Sequence, residues 1–335
     1  MDAYDVLDKI GHGAFGEVFR ARRVTTGETV AIKKLRLNDD GRLRVLPAAL
    51  FQEIETLRQL DHVHIVKLLD VVADGTHVAL VMEYVETDLF SVIRQRKEDF
   101  TDAEIRCILR MLLQAVAFCH DHHILHRDIK PGNLLVSRSG ELKLSDFGLA
   151  TVYVGSTKSY SHQVATRWYR APELLLGGRQ YDGAVDMWAV GAVLAELLHL
   201  VPLFPGQSDI DQLFRIFQVL GHPEASWPEV TQLPDASKVE FPPYRALPWS
   251  RVFPDASPDA LDLLSKLLVL DPTQRLSARE ALTHPFFFSG AVAPRVPEER
   301  VYSTVQRSAN QHNRDATHGD AFLNSLGKPL RPPCA

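Results

Sequence analysis

The stretch His126-Arg127-Asp128-Ile129-Lys130-Pro131-Gly132-Asn133 sets an acid, an amine and an amide at short, fixed spacing. The carboxylate of Asp128 can accept the proton of an attacking hydroxyl, and the ammonium group of Lys130 can meet phosphate charge. The amide oxygen of Asn133 can hold Mg²⁺. A polar loop between a helix and a strand could have the same composition. The stretch therefore predicts phosphoryl transfer only in company with further motifs.

Two such motifs follow in the order that this chemistry needs. Asp146-Phe147-Gly148 follows the first stretch at a separation that one β-hairpin can span. Ala171-Pro172-Glu173 comes after Asp146-Phe147-Gly148. In this order the motifs resemble those of a eukaryotic protein kinase, and the resemblance covers nearly the whole chain. It implies a bilobal protein kinase fold of the α+β class. The implied parts are a small antiparallel-sheet N-lobe with one main helix (1–85), a larger, mainly helical C-lobe (86–288) and a flexible C-terminal tail (289–335).

The composition argues against several other classes of protein. With 335 residues, of which 45% are hydrophobic, the chain can bury a large core and is expected to form two domains or lobes. Its net charge of −5 argues against nucleic acid as a partner. The three cysteines lack metal-ligand spacing, and their odd number suits a reducing compartment. Because no signal peptide and no bilayer-spanning apolar run is found, we expect a soluble intracellular protein without membrane insertion.

A glycine-rich motif near the start suggests a nucleotide site. Gly11-His12-Gly13-Ala14-Phe15-Gly16 separates two stretches that alternate apolar and polar residues, 4–10 and 17–20. An ordinary turn can contain the same glycines, and a dinucleotide site would need a helix to begin at them. A second strand follows instead, which favours a flap over nucleotide phosphates. In the third predicted strand, Lys33 is either a solvated lysine or, by resemblance, the lysine that holds the α- and β-phosphates.

Residues 47–60 have the periodicity of a helix, and Pro47 suits its first turn. The apolar stripe consists of Leu50, Ile54, Leu57 and Leu60. Glu53 lies off this stripe, so periodicity alone predicts an exposed glutamate. The resemblance implies instead that Glu53 pairs with Lys33. Residues 47–53 align with the cyclin-contacting helix of cyclin-dependent kinases and share its proline, an alanine and its glutamate. Because only these three residues are shared, the alignment leaves two alternatives open: a cyclin or cyclin-like activator as a partner, or no such partner.

ATP and Mg²⁺ are the cofactors that the resemblance implies. Residues 83–85 would be the hinge that reads adenine through backbone groups, Met82 would be the gatekeeper, and Asp88 would lie at the ribose side. The nucleotide-binding residues implied in this way are Ile10, Gly11, Gly13, Gly16, Val18, Ala31, Lys33, Glu53, Met82, Glu83, Val85, Asp88 and Leu135.

The same resemblance gives roles to the catalytic residues. Asp128 would orient and deprotonate the substrate hydroxyl, with Lys130 beside the γ-phosphate. Thr166 would hydrogen-bond to both side chains. Asn133 and Asp146 would bind Mg²⁺. A pseudokinase, which has the fold without turnover, is the alternative from another class. The presence of the full set argues against it: Lys33, Glu53, Asp128, Asn133 and Asp146.

Substrate preference is suggested by two further features. The lysine two positions after Asp128 and the run 165–170 match serine/threonine kinases rather than tyrosine kinases. The longer run 162–175 resembles the cyclin-dependent kinase group and, within it, its cell-cycle-related subgroup. The resemblance implies protein substrates in which Ser or Thr precedes proline, a role in the cell cycle or in cilium assembly, and a cytoplasmic, nuclear or ciliary location.

Regulation is expected to differ from that of the group. Ser161 aligns with the activation-loop residue whose phosphate binds three arginines in related kinases. The aligned residues here are Gln52, Arg127 and Thr151, of which only Arg127 carries a charge. We therefore expect basal activity without phosphorylation of Ser161. The pair Ala14-Phe15 replaces the Thr-Tyr pair that receives inhibitory phosphates, so we expect that this form of inhibition is absent.

The sequence also predicts several helices and two charged contacts in the C-lobe. An amphipathic helix should begin at the capping box 101–104, and residues 185–198 should form a buried helix in which Asp186 needs buried partners. By resemblance, Asp186 holds the backbone of the His126 loop and Arg275 pairs with Glu173. Residues 206–251 resemble the insert of cyclin-dependent and mitogen-activated kinases. The remaining predicted helix caps are Ser257 and Ser277.

Overall fold

The computed structural model describes residues 2–13, 16–36, 48–74, 77–155 and 158–290. The predictions for Ala14, for Phe15, for Pro47 and for the tail beyond residue 290 lie outside these ranges.

An antiparallel sheet forms the N-terminal part of the fold. Its five strands are β1 (Tyr4–Gly13), β2 (Gly16–Arg23), β3 (Thr29–Arg36), β4 (Leu68–Asp74) and β5 (His77–Glu83), in the spatial order β1-β2-β3-β5-β4. The glycine motif joins β1 to β2 as a hairpin, with Gly13 opposite Gly16. A strand, and no helix, thus follows the glycines as predicted. Gly16 has a structural reason of its own, because a Cβ there would overlap the carbonyl oxygen of Lys34.

The fourth strand is shorter at its start than predicted. The sequence of residues 65–72 predicts a strand, but β4 begins at Leu68. Ile65 lies before the strand, is only 1% exposed and bridges to Leu144. Its side chain is therefore buried in the core of the C-terminal part of the fold rather than in the sheet.

Helix α1 (Ala48–Gln59) packs on one face of this sheet. Its predicted apolar residues are buried, and Leu50 and Ile54 form a cluster with Leu35, Val78 and Leu80. Glu53 is also buried, at 4% exposure, so the exposure that periodicity alone predicts for it is wrong. The reason is electrostatic, because Glu53 faces Lys33 on β3.

Two helices open the C-terminal part. After β6 (Thr87–Asp88), helix α2 (Leu89–Gln95) begins at Asp88, whose carboxylate accepts the N–H of Ser91. Helix α3 (Asp102–Asp121) begins with the predicted capping box, in which Thr101 and Glu104 bond each other's backbone N–H groups. Four short strands then lie before and after the two main sequence motifs. They are β7 (Ile124–Leu125), β8 (Leu134–Val136), β9 (Leu142–Leu144) and β10 (Thr151–Val152).

These short strands fix the positions of the two main motifs. Strand β7 pairs with β10, and β6, β8 and β9 form a three-stranded sheet. The His126-to-Asn133 stretch therefore runs between β7 and β8, and Asp146-Phe147-Gly148 runs between β9 and β10.

The rest of the C-terminal part is helical. Its helices are α4 (Pro172–Leu175), α5 (Ala184–His199), α6 (Asp209–Leu220), α7 (Trp249–Val252), α8 (Pro258–Leu267) and α9 (Ala278–Leu282). Helix α5 is buried from Val185 to Leu197, which confirms the prediction of a central buried helix. Ser257 and Ser277 cap α8 and α9 as predicted. Among the described residues, no helix combines the length and the apolar character needed to cross a membrane.

Candidate functional site

The loop that carries Asp128 is anchored to the buried helix α5 through Asp186. Its carboxylate accepts the backbone N–H groups of His126 at 2.9 Å and Arg127 at 2.8 Å, and lies 2.9 Å from Nε2 of His120. Burial alone would raise the pKa of Asp186, but the bond from His120 and the nearby histidine and backbone donors outweigh it and lower the pKa below its ordinary value. The loop holds Arg127 at a φ of 64°, a strained conformation for a residue with a side chain.

Asp128 lies in this loop with both carboxylate oxygens bonded. Oδ1 accepts the backbone N–H of Thr166 at 2.9 Å and its hydroxyl at 3.0 Å. Oδ2 accepts Nζ of Lys130 at 2.8 Å and Nδ2 of Asn133 at 3.0 Å. Four donors fill the lone-pair sites of the carboxylate, so a substrate hydroxyl must displace one of them. The flexible Lys130, with 28% of its side chain exposed, is the donor most easily displaced.

Lys33 lies between two carboxylates. Its Nζ is 2.8 Å from Oε1 of Glu53 and 2.8 Å from Oδ1 of Asp146. Burial acts to lower the pKa of Lys33, but the charges of Asp146 and Glu53 outweigh it and raise the pKa. Burial likewise acts to raise the pKa of Asp146, and Lys33 outweighs it so that the pKa is lowered. Both shifts favour the charged forms of Lys33 and Asp146, as the binding of phosphates and a cation requires.

The two predicted metal ligands are linked through the backbone, because the N–H of Ser145, which directly precedes Asp146, donates to the carbonyl oxygen of Asn133 at 2.9 Å. Asp146 has a φ of 61°, and 40% of its side chain is exposed. Asn133 donates through Nδ2 to the backbone oxygen and to Oδ2 of Asp128, which leaves its amide oxygen as the atom for a cation. Within the described ranges no three His, Cys, Asp or Glu side chains gather as a metal cluster. The donor set fits Mg²⁺, which is commonly held by one or two protein oxygens together with phosphates and water.

The predicted nucleotide-binding residues lie on neighbouring strands. Register pairs bring them together: Gly11 with Val18, Val18 with Lys33, Ala31 with Met82 and Asp88 with Leu135. Val85 is buried at 9% exposure, whereas Ile10 is exposed at 43%. The predicted residues thus fall into two groups, one on the five-stranded sheet and one on the β6–β8 pair, and Gly13 and Gly16 lie at the β1–β2 hairpin.

Two of these residues, Glu83 and Asp88, already use polar groups in hydrogen bonds within the protein. The N–H of Glu83 donates to the carbonyl of Lys67, and its carboxylate accepts from Lys143 and from the N–H of Lys67. Glu83 can therefore offer adenine its carbonyl oxygen but not its N–H. The carboxylate of Asp88 accepts the N–H and the hydroxyl of Ser91, at 2.7 and 3.0 Å. A ribose hydroxyl would have to share Asp88 with the cap of α2.

The segment beside Asp128 contains a feature that the sequence did not reveal. Ala165 has a φ of 65°, and its carbonyl oxygen accepts Nη2 of Arg170 at 2.9 Å. Nε of Arg170 donates to the carbonyl of Val164 at 2.7 Å, and its Nη1 lies 3.2 Å from Asp209. Asp209 also accepts Nε of Arg167 at 2.9 Å. A positive φ at an alanine leaves no local signal in the sequence, so the role of Arg170 was missed.

The predicted regulatory residues are only partly brought together. Nε of Arg127 donates to the carbonyl of Leu149 at 2.8 Å and its Nη1 donates to the hydroxyl of Tyr181 at 2.9 Å. That hydroxyl donates to the backbone oxygen of Ser161 at 2.6 Å, while the Ser161 side chain is exposed. Gln52 bonds to the Thr151 side chain rather than to Ser161. Tyr181 was not predicted, because its partners are distant in the sequence.

A buried ion pair closes the lower part of the fold. Arg275 donates to both oxygens of Glu173, at 2.7 and 2.8 Å, and the guanidinium also bonds three backbone oxygens. The predicted pairing of these two residues is confirmed.

Comparison with known proteins agrees with this geometry. Residues 4–287 match the protein kinase domain family. Cyclin-dependent kinase 20 of Danio rerio is 49% identical over 319 residues, which cover 94% of this chain and 90% of that protein. The proteins of the same name from Mus musculus and Homo sapiens are each 47% identical over 304 residues, covering 89% of this chain and 86% of theirs.

Proposed function

Since this chain belongs to the protein kinase domain family and is a cyclin-dependent-kinase-like serine/threonine kinase, we propose that its substrates carry proline directly after the phosphorylated residue. Transfer of the γ-phosphate of ATP to a protein hydroxyl is the reaction of the family.

The orientation of the Ala165 carbonyl carries the proposal. Thr166 bonds to Asp128, so a peptide whose hydroxyl reaches Asp128 has its next residue beside Ala165. The Ala165 oxygen accepts Nη2 of Arg170 and is thereby turned away from the N–H of the peptide's next residue. Burying an unsatisfied N–H costs about 1–3 kcal/mol. Proline has no N–H and avoids this cost.

The catalytic residues supply positioning and charge. Asp128 accepts the hydroxyl proton, and Thr166 holds Asp128 in place through Oδ1. Lys33, fixed by Glu53, would hold nucleotide phosphates, and Asp146 and Asn133 would hold Mg²⁺. Bound Mg²⁺ neutralises the charge that develops on the transferred phosphoryl group. Lys130 can leave Asp128 for that group, because its side chain is partly exposed.

Partners and location belong to the same proposal. The relatives are named as cyclin-dependent, and an apolar surface fits an activator of that kind. Phe51 on α1 is 56% exposed. Val152 and Val154 lie on the segment from Asp146 to Glu173, which we call the activation segment, and are 41% and 61% exposed. We assign protein substrates and a cyclin-like activator as partners, a role in the cell cycle or cilium assembly, and a cytoplasmic, nuclear or ciliary location.

Three peptides that differ in one residue test the preference. They place proline, alanine or N-methylalanine after the target serine, and kcat/KM is measured for each. A cost of about 1–3 kcal/mol predicts that proline is preferred over alanine by roughly 5- to 150-fold. N-methylalanine lacks the N–H without having the ring, so it should recover much of the loss. Asp128→Asn enzyme is the control for contaminating kinases. Equal kcat/KM for the proline and alanine peptides would overturn the proposal.

A further inference from the structure

A neutral side-chain contact joins helix α1 to the activation segment. Nε2 of Gln52 lies 3.2 Å from Oγ1 of Thr151 and 3.3 Å from the backbone oxygen of Ala150. Thr151 is 9% exposed, so water competes little for its hydroxyl. Neither Gln52 nor Thr151 carries a charge. We call this set of hydrogen bonds the amide clasp.

Each end of the amide clasp adjoins a part of the active site. Gln52 directly precedes Glu53, which fixes Lys33 at 2.8 Å. Thr151 pairs with Leu125 in the β10–β7 ladder, and Leu125 directly precedes the His126 loop. A rotation of α1 that withdraws Glu53 from Lys33 would have to break the amide clasp. The contact therefore couples the nucleotide side of the site to the loop that carries Asp128.

The same segment is held elsewhere by contacts of two tyrosines. Tyr181 links Arg127 to the backbone of Ser161. The hydroxyl of Tyr160 accepts the N–H of Val154 at 2.9 Å, and the Tyr160 ring lies against Tyr181 with centroids 5.3 Å apart. None of these contacts uses the Ser161 hydroxyl, so the described arrangement does not depend on that group.

We propose that Gln52 and Thr151 are positioning residues that keep α1 and the activation segment aligned for catalysis while Ser161 is unmodified. They act through Glu53 and through the β10–β7 ladder and do not touch the substrate. The inference rests on the kinase activity stated above. It assigns the alignment of α1 with the activation segment to a neutral contact instead of a phosphate.

The test uses full-length protein in a Ser161→Ala background, so that a phosphate on that residue cannot contribute. Gln52→Met keeps the length of the side chain and removes both donated bonds. Thr151→Val keeps the shape and removes only the hydroxyl, whereas Thr151→Ser keeps the hydroxyl. Gln59→Met is the matched control, because Gln59 is exposed at the end of the same helix. For each protein, kcat, KM for the peptide and the thermal midpoint are measured.

We expect Gln52→Met to lower kcat about tenfold or more, since a misplaced catalytic group costs rate far more than affinity. Thr151→Val should lower kcat less, and the double variant should be no worse than Gln52→Met alone. Thr151→Ser and Gln59→Met should match the background, and KM for the peptide should stay constant. Hydrogen exchange of residues 48–59 should become faster only in the two proteins that carry Gln52→Met.

Other results would overturn the inference. Gln52→Met with unchanged kcat would do so, as would losses in the double variant that multiply, because these would mean separate roles. A lower thermal midpoint with unchanged kcat would show a merely structural contact. An inactive Ser161→Ala protein beside an active phosphorylated wild type would also overturn it. Absence of turnover by every form, phosphorylated wild type included, would instead contradict the kinase activity itself.

Discussion

Tyr169 donates a 2.7 Å hydrogen bond to Oε2 of Glu196, and Glu196 is completely buried. Its other oxygen, Oε1, has no hydrogen-bond partner among the described residues. Burial raises the pKa of Glu196 to about 7, although the bond from Tyr169 acts in the opposite direction. Tyr169 lies in the same segment as Arg167 and Arg170, so this pair connects that segment to helix α5.

The raised pKa of Glu196 predicts a pH-dependent stability. A carboxyl whose folded pKa lies above its unfolded value stabilises the protein most at low pH, and this contribution is lost as pH rises through about 7. Between pH 5.5 and 8 the loss is about 2 kcal/mol, at 1.36 kcal/mol for each pKa unit. Glu196→Gln is neutral throughout and should lack this decline in urea unfolding. Exposed Glu240→Gln should follow the wild type, and parallel curves for all three proteins would contradict the prediction.

Asp128 and Asp146 are predicted to be essential for turnover but not for folding. Replacing either by Asn keeps the shape and removes the charge, and should lower kcat by roughly 10²-fold or more. Circular dichroism and the thermal midpoint should stay close to those of the wild type. Asp255→Asn, at an exposed position, is the matched control. If Asp128→Asn kept kcat within about tenfold of the wild type, the pseudokinase interpretation would be favoured.

Phosphorylation of Ser161 should activate the enzyme only modestly. Arg127 is the one charged residue of the predicted cluster, and it is bonded to Leu149 and Tyr181. A phosphate at Ser161 would therefore gain few charge-assisted bonds. The comparison is between unphosphorylated, Ser161-phosphorylated and Ser161→Ala enzyme on one peptide. Activation by more than about a hundredfold, nearly 3 kcal/mol of transition-state stabilisation, would show that a phosphate does most of the ordering.

Breaking the Arg275–Glu173 pair should destabilise the fold strongly. The guanidinium of Arg275 is inaccessible to solvent and Glu173 is only 6% exposed in its side chain. Glu173→Ala leaves a buried charge without its partner, which costs about 3–5 kcal/mol. If this variant fails to fold, Glu173→Gln, which keeps an acceptor, should lie between it and the wild type in urea unfolding. Arg279→Ala removes the exposed pair with Asp121 and should change little; equal effects of the buried and exposed changes would refute the argument.

Signals that lie within one turn or one strand could be read from the sequence. Thr101, Ser257 and Ser277 cap helices where the pattern predicted, because a cap involves residues only three positions apart. The strand after the glycines was also predicted correctly, and it excluded a dinucleotide site.

Contacts between distant residues could not be derived from the pattern alone. Periodicity left Glu53 on the exposed side of its helix, and only the resemblance indicated that Lys33 neutralises it. Ile65 lies in a stretch whose sequence predicts a strand, but it bridges to Leu144, which is distant in the sequence. The hydrogen bond from Arg170 to the carbonyl of Ala165 depends on the positive φ of Ala165, which the residue types do not indicate.

The attachment of Asp186 to the backbone of His126 and Arg127 has a consequence for how the enzyme fails. Helix α5, which carries Asp186, is surrounded by the core. We therefore expect that the loop carrying Asp128 does not loosen by itself, and that the left-handed Arg127 relaxes only when the core opens. On heating, the loss of catalysis should coincide with cooperative melting of the C-terminal part, with no inactive but still folded stage before it.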